Sequence, residues 1–401
     1  MIYFDNAATS WPKPPAVCRA ISTHLTSPAG NPGRSGHRVS VAAARQVAHT
    51  REVLCQLLQV PDPSRIIFTL NATHALNVAL HGLLRPGDRV ITTSVEHNSV
   101  MRPLRHLESL GVVVTTVPCD PHGLPEIHDV QRAILPGTRL LVTTHASNVT
   151  GAVLPVGEMA GLARERGIVV LVDASQSVGS VPIDLRTLGA DAVAFSGHKG
   201  LLGPTGTGVL WLRDGLDVAP LVRGGTGSDS AREQQPGFLP DALESGTPNL
   251  MGIVGLGAGV RFLQDIGIET VMEHERALVA RFIDGVSRIP GIVVYGPQAV
   301  SRRCGVVSFN LTGASPSEVE LILDRSFGIM ARSGLHCAPS AHRTLGTFPT
   351  GTVRFSFGWF NRPSEVDAAI EAVRQIGEWA TKAPPLERRF GEAAIGRQWT
   401  G

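Results

Sequence analysis

Between residues 66 and 212 the chain alternates short apolar, β-branched runs with segments of helical period, and no other feature constrains its fold so strongly. The runs are IIFTL (66–70), RVITT (89–93), VVVTTV (112–117), RLLVTT (139–144), IVVLVD (168–173), AVAFS (192–196) and GVLWL (208–212). Stretches from about Thr73, near 98–110, near 126–134 and near 157–166 read as helices between them. Strands that are apolar throughout lack a solvent-facing side, so they predict an α/β fold: a mostly parallel sheet with helices on both faces. Ligands in such sheets gather at the carboxyl ends of the strands. From about residue 260 the rhythm changes to long helices, about 269–289 and 364–381, with shorter strands in VVSFN, IMARS and TVRFSF. This predicts a large domain over 15–258, a smaller α+β domain formed by 1–14 with 259–382, and a polar extension over 383–401. The Gly/Ser-rich stretch 223–249 has no periodicity and reads as a long functional or mobile loop.

Composition narrows the function classes. The chain has 401 residues, 43% of them hydrophobic, and a net charge of +2 with both signs interspersed. That balance supports a well-buried core and offers no electrostatic footprint for nucleic acid or an anionic membrane. The start, MIYFDNAATS, lacks a basic segment followed by an apolar run, and no apolar stretch approaches the roughly 20 residues of a spanning helix. A cytoplasmic protein is expected. Five scattered cysteines (Cys18, Cys55, Cys119, Cys304, Cys337) form no CxxC pair and read as reduced thiols.

Three strand ends carry polar residues that converge on one site. LVDASQSVG contributes Asp173 and Gln176, AFSGHK contributes Ser196, His198 and Lys199, and THASNVTG contributes Asn148. Asp173 alone would read as a helix cap. Beside Lys199 it reads differently. A lysine condensed with an aldehyde needs no hydration shell, and a carboxylate next to a pyridinium nitrogen is a charge-assisted partner, which together form the protein side of pyridoxal 5'-phosphate (PLP) chemistry. A phosphate would be cradled where FTLNATHALN passes from strand to helix at Thr73, with Ser196 and His198 closing the cradle. For Thr73 the plain alternative is an ordinary N-cap. No GxxxxGK[ST] is present, and GLGAGV (255–260) lacks the last glycine of GxGxxG. His97, in SVEHNSV, would alone read as a structural histidine, but in a PLP site an imidazole can stack on the pyridine ring and relay protons. His336, Cys337 and His342 have a metal-like spacing that no second cluster completes, so no metal is expected.

The segments YFDNAATS, EHNS, SNVTGAVLPV, VDASQSVGSVPIDL, FSGHKGLLGPTGTGVL, ESGTPN and RSGLHCAP, over about residues 1 to 380, resemble the class V aminotransferase family. The likeness is to its cysteine desulfurase and selenocysteine lyase branch, nearest the SufS/CsdA-like group. It implies a PLP-dependent homodimer of fold type I. It also implies that Lys199 holds PLP, Asp173 pairs with the pyridine nitrogen, His97 stacks on the ring, and Gln176 and Asn148 lie near the phenolic oxygen and the substrate. Ala72, Thr73, Ser196 and His198 would bind phosphate, joined by Thr247 from the neighbouring subunit. Cys337 would be the sulfur-accepting nucleophile, its thiolate favoured by His336 and Arg332, and Arg354 would take the substrate carboxylate. The implied reaction turns L-cysteine into alanine and passes sulfur through Cys337 to an acceptor or scaffold protein for iron–sulfur or related assembly. The resemblance leaves room for L-selenocysteine as substrate, for another PLP reaction such as transamination, racemisation or β-elimination, and for a non-catalytic sulfur relay. Three departures bear on substrate and acceptor: GLHC where relatives often have GHHC, RGGTGSDS in place of a GGG loop with an acidic residue, and GRSG (33–36) in place of HRG.

Overall fold

A computed structural model describes residues 1–28, 30–33 and 35–382. Arg34 of the GRSG segment and the expected extension at 383–401 lie outside the described residues. The chain opens with β1 (Ile2–Tyr3), α1 (Pro15–Thr26) and α2 (Arg38–Leu58), followed by β2 (Ile66–Thr69) and α3 (Ala72–Leu83). It continues through β3 (Arg89–Thr93), α4 (Asn98–Ser109), β4 (Val113–Val117), α5 (Ile127–Ala133) and β5 (Thr138–Thr144). Then come α6 (Val156–Arg164), β6 (Val169–Asp173), α7 (Leu185–Leu188), β7 (Ala192–Ser196) and β8 (Gly208–Leu212).

β2 to β8 form one seven-stranded sheet in the order β2-β8-β7-β6-β5-β3-β4. β8 alone is antiparallel to its neighbours, so β2 through β7 all end on the same edge. β5, β6, β7 and β8 are buried almost throughout, as continuous apolar runs require. VVVTTV departs from that rule: β4 is an edge strand with Val113 41% exposed, so its apolar residues report β-propensity rather than two-sided burial. One face packs against α2, α6 and the helix that follows β8, through Leu54, Met159 and Leu256; the other packs against α3 and α4, through Leu76 and Leu104.

The second part comprises α8 (Leu250–Ile266), α9 (Ile268–Val286), β9 (Ile292–Tyr295), β10 (Val306–Leu311) and α10 (Pro316–Phe327). β11 (Ile329–Met330), β12 (Arg332–Gly334), α11 (Pro339–Thr344), β13 (Thr352–Ser356) and α12 (Pro363–Lys382) complete it. A four-stranded antiparallel sheet, β12-β13-β10-β9, covers its own core of Phe4, Phe282, Phe309 and Phe355, with Phe309 and Phe355 edge-to-face at 5.0 Å. IMARS is not one strand: β11 pairs in parallel with β1, while β12 joins β13 in the four-stranded sheet. α8, like α1 and α2, is a helix that the sequence pattern does not predict. Its GLGAGV segment is helical, and its glycines allow close approach: a Cβ on Gly257 would lie 2.6 Å from Thr50 Oγ1, and one on Gly259 2.5 Å from the Leu201 carbonyl. No single helix among the described residues is long and apolar enough to cross a membrane.

Candidate active site

The common edge of the parallel strands opens into a cleft of about 310 Å³. His97 reaches it from the turn after β3, Asn148 from after β5, Asp173 from the end of β6, and Lys199 from after β7, while Arg354 enters from β13 of the other sheet. Ala72, Thr73, Gln176, Ser196 and His198 also line it. Ten of the twelve residues singled out from sequence therefore share one space. Cys337 stands at its margin and Thr247 elsewhere.

The Lys199 amine has no ion-pair partner among the described residues. Burial pulls its pKa down to about 8, and Asp173 opposes the shift only through space. The protein thus presents a half-buried amine that no salt bridge holds in its charged form, and its lowered pKa favours the neutral state a nucleophilic lysine needs. Asp173 is 4% exposed, and its Oδ1 accepts from the Ser175 amide at 3.0 Å and from the Ser175 hydroxyl at 2.5 Å.

The helix N-terminus at α3 is built differently from the sequence expectation. Asn71, not Thr73, is the cap, its side chain accepting from the His74 amide at 2.9 Å. Thr73 is thereby released, and its Oγ1 lies 2.7 Å from Ser99 Oγ. Ser99 in turn contacts His97 Nδ1 through Oγ (2.8 Å) and donates its amide to the same nitrogen at 3.0 Å. Because Nδ1 accepts, the proton of a neutral His97 resides on Nε2. Burial, partly offset by Asp173, lowers the His97 pKa to about 4 and keeps it neutral near pH 7. Ser196 Oγ accepts the Ala72 amide at 3.2 Å, and Gly208 lets β8 start against this turn, since a Cβ there would meet Asn71 backbone at 2.4 Å. The imidazole Nδ1 of His198 is buried and has no hydrogen-bond partner among the described residues.

Arg354 is 1% exposed. One amino group donates to Asp5 Oδ1 at 2.7 Å and another to the Asn148 carbonyl at 3.1 Å, leaving Nε buried and without a partner. Asn148 Nδ2 donates to the His336 carbonyl at 2.7 Å, and Gln176 Nε2 to the Ala7 carbonyl at 3.1 Å.

Cys337 is exposed, and its carbonyl accepts the Asn98 amide at 2.7 Å, next to His97. His336 and Cys337 both hold left-handed backbone, φ +47° and +57°, an arrangement unusual for residues with a Cβ. Arg332 stands 3.7 Å from Sγ. His336 does not serve as the second cation expected from sequence: its Nε2 faces Thr352, and burial drives its pKa well below the usual value, so it stays neutral. Thr247 is exposed, within 3.3 Å of Asn31, and lines a separate hollow with His74, Gly206 and Asn249.

Sequence reasoning missed Asp5, Ser99 and Ser175, each of which binds a site residue directly. Ser99 and Ser175 lie two residues from His97 and Asp173, in the Asx- or cap-type pattern that short polar side chains form with neighbouring backbone. Asp5 offered no local signal, because its partner is 349 residues away.

Residues 2–369 match the family described as aminotransferase class-V. A probable cysteine desulfurase of Pyrococcus abyssi is 36% identical over 388 residues, 94% of each chain, and one of Methanothermobacter thermautotrophicus is 35% identical over 384 residues, also 94% of each. Among solved structures, the apo cysteine desulfurase of Thermococcus onnurineus aligns with a TM-score of 0.88 at 34% identity, covering 94% of this chain and 95% of that one. Cysteine desulfurase CsdA of Escherichia coli, in its S-sulfonic acid form, aligns with a TM-score of 0.83 at 32% identity, covering 95% and 94%.

Proposed function

The chain belongs to the aminotransferase class-V family, and from that premise we propose that it is a PLP-dependent cysteine desulfurase. The observation that carries the reading is a half-buried lysine with a lowered pKa and no salt bridge, in a cleft whose polar wall is incomplete without a ligand. Lys199 has no ion-pair partner, and the buried His198 Nδ1 and Arg354 Nε in the same cleft have no hydrogen-bond partner among the described residues. PLP fits this donor set, with Lys199 for its aldehyde, Asp173 for its ring nitrogen, and Ala72, Thr73, Ser196 and His198 around its phosphate. Bound there, it supplies an electron sink for the substrate's α-carbon.

The chain's own residues do the rest. Arg354, fixed between Asp5 and Asn148, binds the substrate carboxylate. Lys199 accepts and returns a proton as its amine is released, which a pKa near 8 permits close to neutral pH. His97, neutral and with its proton on Nε2, would stack on the bound ring, and Gln176 and Asn148 would lie near its phenolic oxygen and the substrate. Cys337 Sγ, beside the Arg332 guanidinium, attacks the substrate sulfur: the C–S bond breaks, an S–S bond forms, the carbon end takes a proton, and alanine leaves a persulfide on Cys337. That sulfur passes to an acceptor or scaffold protein for iron–sulfur or related assembly. In this reading residues 15–258 form the cofactor domain and 1–14 with 259–382 the second domain. The enzyme is a homodimer in which Thr247 serves the partner's phosphate site.

The test is mass spectrometry and product analysis after incubation with L-cysteine and PLP. Borohydride-fixed cofactor on Lys199, one added sulfur on Cys337 and equimolar alanine are expected. Absence of alanine, or full turnover by Cys337→Ala, rejects the assignment.

A further inference from the structure

The peptide group immediately before Lys199 is held in an unusual way. The His198 carbonyl oxygen accepts from four donors: the Ser10 amide at 2.9 Å, Lys13 Nζ at 3.0 Å, Ser10 Oγ at 3.1 Å and Thr9 Oγ1 at 3.2 Å. A carbonyl has two lone pairs, so two donors satisfy it. All four come from one N-terminal segment, residues 9–13, and one is a cation. Lys13 also donates to Ser10 Oγ at 2.7 Å, which ties the group together. Lys13 is half-buried, and burial lowers its pKa to about 8.

The other side of Lys199 is wedged as well. Its carbonyl accepts the Leu202 amide at 2.9 Å, and Leu202 holds a φ of +58°. A Cβ on Gly200 would lie 2.5 Å from the Val178 carbonyl, and one on Gly179 2.5 Å from the Gly200 backbone. With both flanking peptides fixed, the Lys199 Cα has no room to shift and only the side chain is free. A catalytic amine that is released and must re-form its bond in every cycle gains from such a fixed root, because each return is an intramolecular encounter from a constant position.

We propose that Lys13 is a positioning residue for Lys199, acting through the His198 carbonyl, with Thr9 and Ser10 as its auxiliaries. This rests on the assignment of Lys199 as the cofactor-bearing amine. The test compares PLP-loaded wild type with Lys13→Met and Lys13→Arg. Loss of one charge-assisted hydrogen bond predicts that Lys13→Met lowers kcat on L-cysteine about tenfold while KM moves less than about twofold. The rate at which PLP is lost in a gel-filtration time course should rise by a similar factor of about ten, and Lys13→Arg should recover most of both effects.

Wild-type kcat and PLP retention in Lys13→Met overturn the proposal. So does a Lys13→Arg variant as impaired as Lys13→Met with both melting early, since that marks a structural residue. Should Lys13→Met fail to fold, Thr9→Val and Ser10→Ala each remove a side-chain donor from the same oxygen. Graded loss of PLP retention in these supports the proposal, and unchanged retention sinks it. A wild-type protein that takes up no PLP sinks both this inference and the assignment beneath it, whereas an active wild type with an unaltered Lys13→Met sinks this one alone.

Discussion

Arg354 keeps a guanidinium almost wholly out of water, which is tolerable only because Asp5 and the Asn148 carbonyl take two of its nitrogens. Its unpartnered Nε marks where a further anion would sit. Lysine cannot reproduce that fork, so Arg354→Lys should raise KM for L-cysteine more than about tenfold while the visible cofactor band persists, as steady-state kinetics beside absorbance spectra would report. The Lys199 amine carries a second prediction. Only the uncharged amine attacks an aldehyde, and the pKa is lowered from 10.5 to about 8, so PLP uptake by the cofactor-free protein should accelerate as pH rises through about 8, well below the range of an ordinary lysine. Stopped-flow absorbance against pH checks it. At this scale Lys199, Asp173 and His97 were legible because strand ends concentrate polar residues that an apolar strand would otherwise exclude. Asp5 and Lys13 were not, since their partners lie 349 and 185 residues away along the chain.

Elements were legible where burial is symmetric and obscure where glycine carries the packing. The parallel strands announced themselves through continuous apolar runs, but α8 presents Gly252, Gly255, Gly257 and Gly259 to its neighbours, a pattern that reads as loop. Alanine normally favours a helix by about 1 kcal/mol over glycine. At Gly259 the added methyl would meet the Leu201 carbonyl at 2.5 Å, whereas at Gly255 it meets the flexible end of Ile21 at 2.9 Å. Gly259→Ala should therefore destabilise by about 1–3 kcal/mol and Gly255→Ala by clearly less, measured by urea unfolding. α9 contributes a pH effect. Glu275 accepts from Ser180 at 3.2 Å in a buried setting, and desolvation raises its pKa from 4.5 to about 8. The stability it contributes is complete below about pH 4.5 and lost as pH climbs through about 8. Glu275→Gln should flatten the decline in melting temperature between about pH 5 and pH 9, read by thermal scans across that range.

The seven- and four-stranded sheets meet around the cleft that holds Lys199, and a single chain leaves Thr247 outside it. If that threonine completes the partner's phosphate site, mixing two impaired variants should create a competent site. A dimer of one Lys199→Ala chain and one Thr247→Ala chain holds one site with an intact lysine and an intact threonine. Co-refolded mixtures should regain activity that neither parent shows, and a mixture no better than its parents rejects the exchange. The change of rhythm near residue 260 precedes the strands of the four-stranded sheet, but the way residues 2–13 reach both large sheets carries no sequence signal, because a two-residue strand and a run of turns have no periodicity.

That crossing sets an order of events during synthesis. Asp5, Thr9 and Lys13 leave the ribosome first, yet Asp5 waits for Arg354 and β1 waits for β11, both delivered more than 300 positions later. A nascent chain ending after β8 already carries Lys199 and Asp173 but no guanidinium and no thiol at the cleft margin. Under the proposed function, such a fragment would hold the cofactor-bearing lysine without the carboxylate-binding guanidinium or the attacking thiol, so sulfur transfer would be confined to finished molecules.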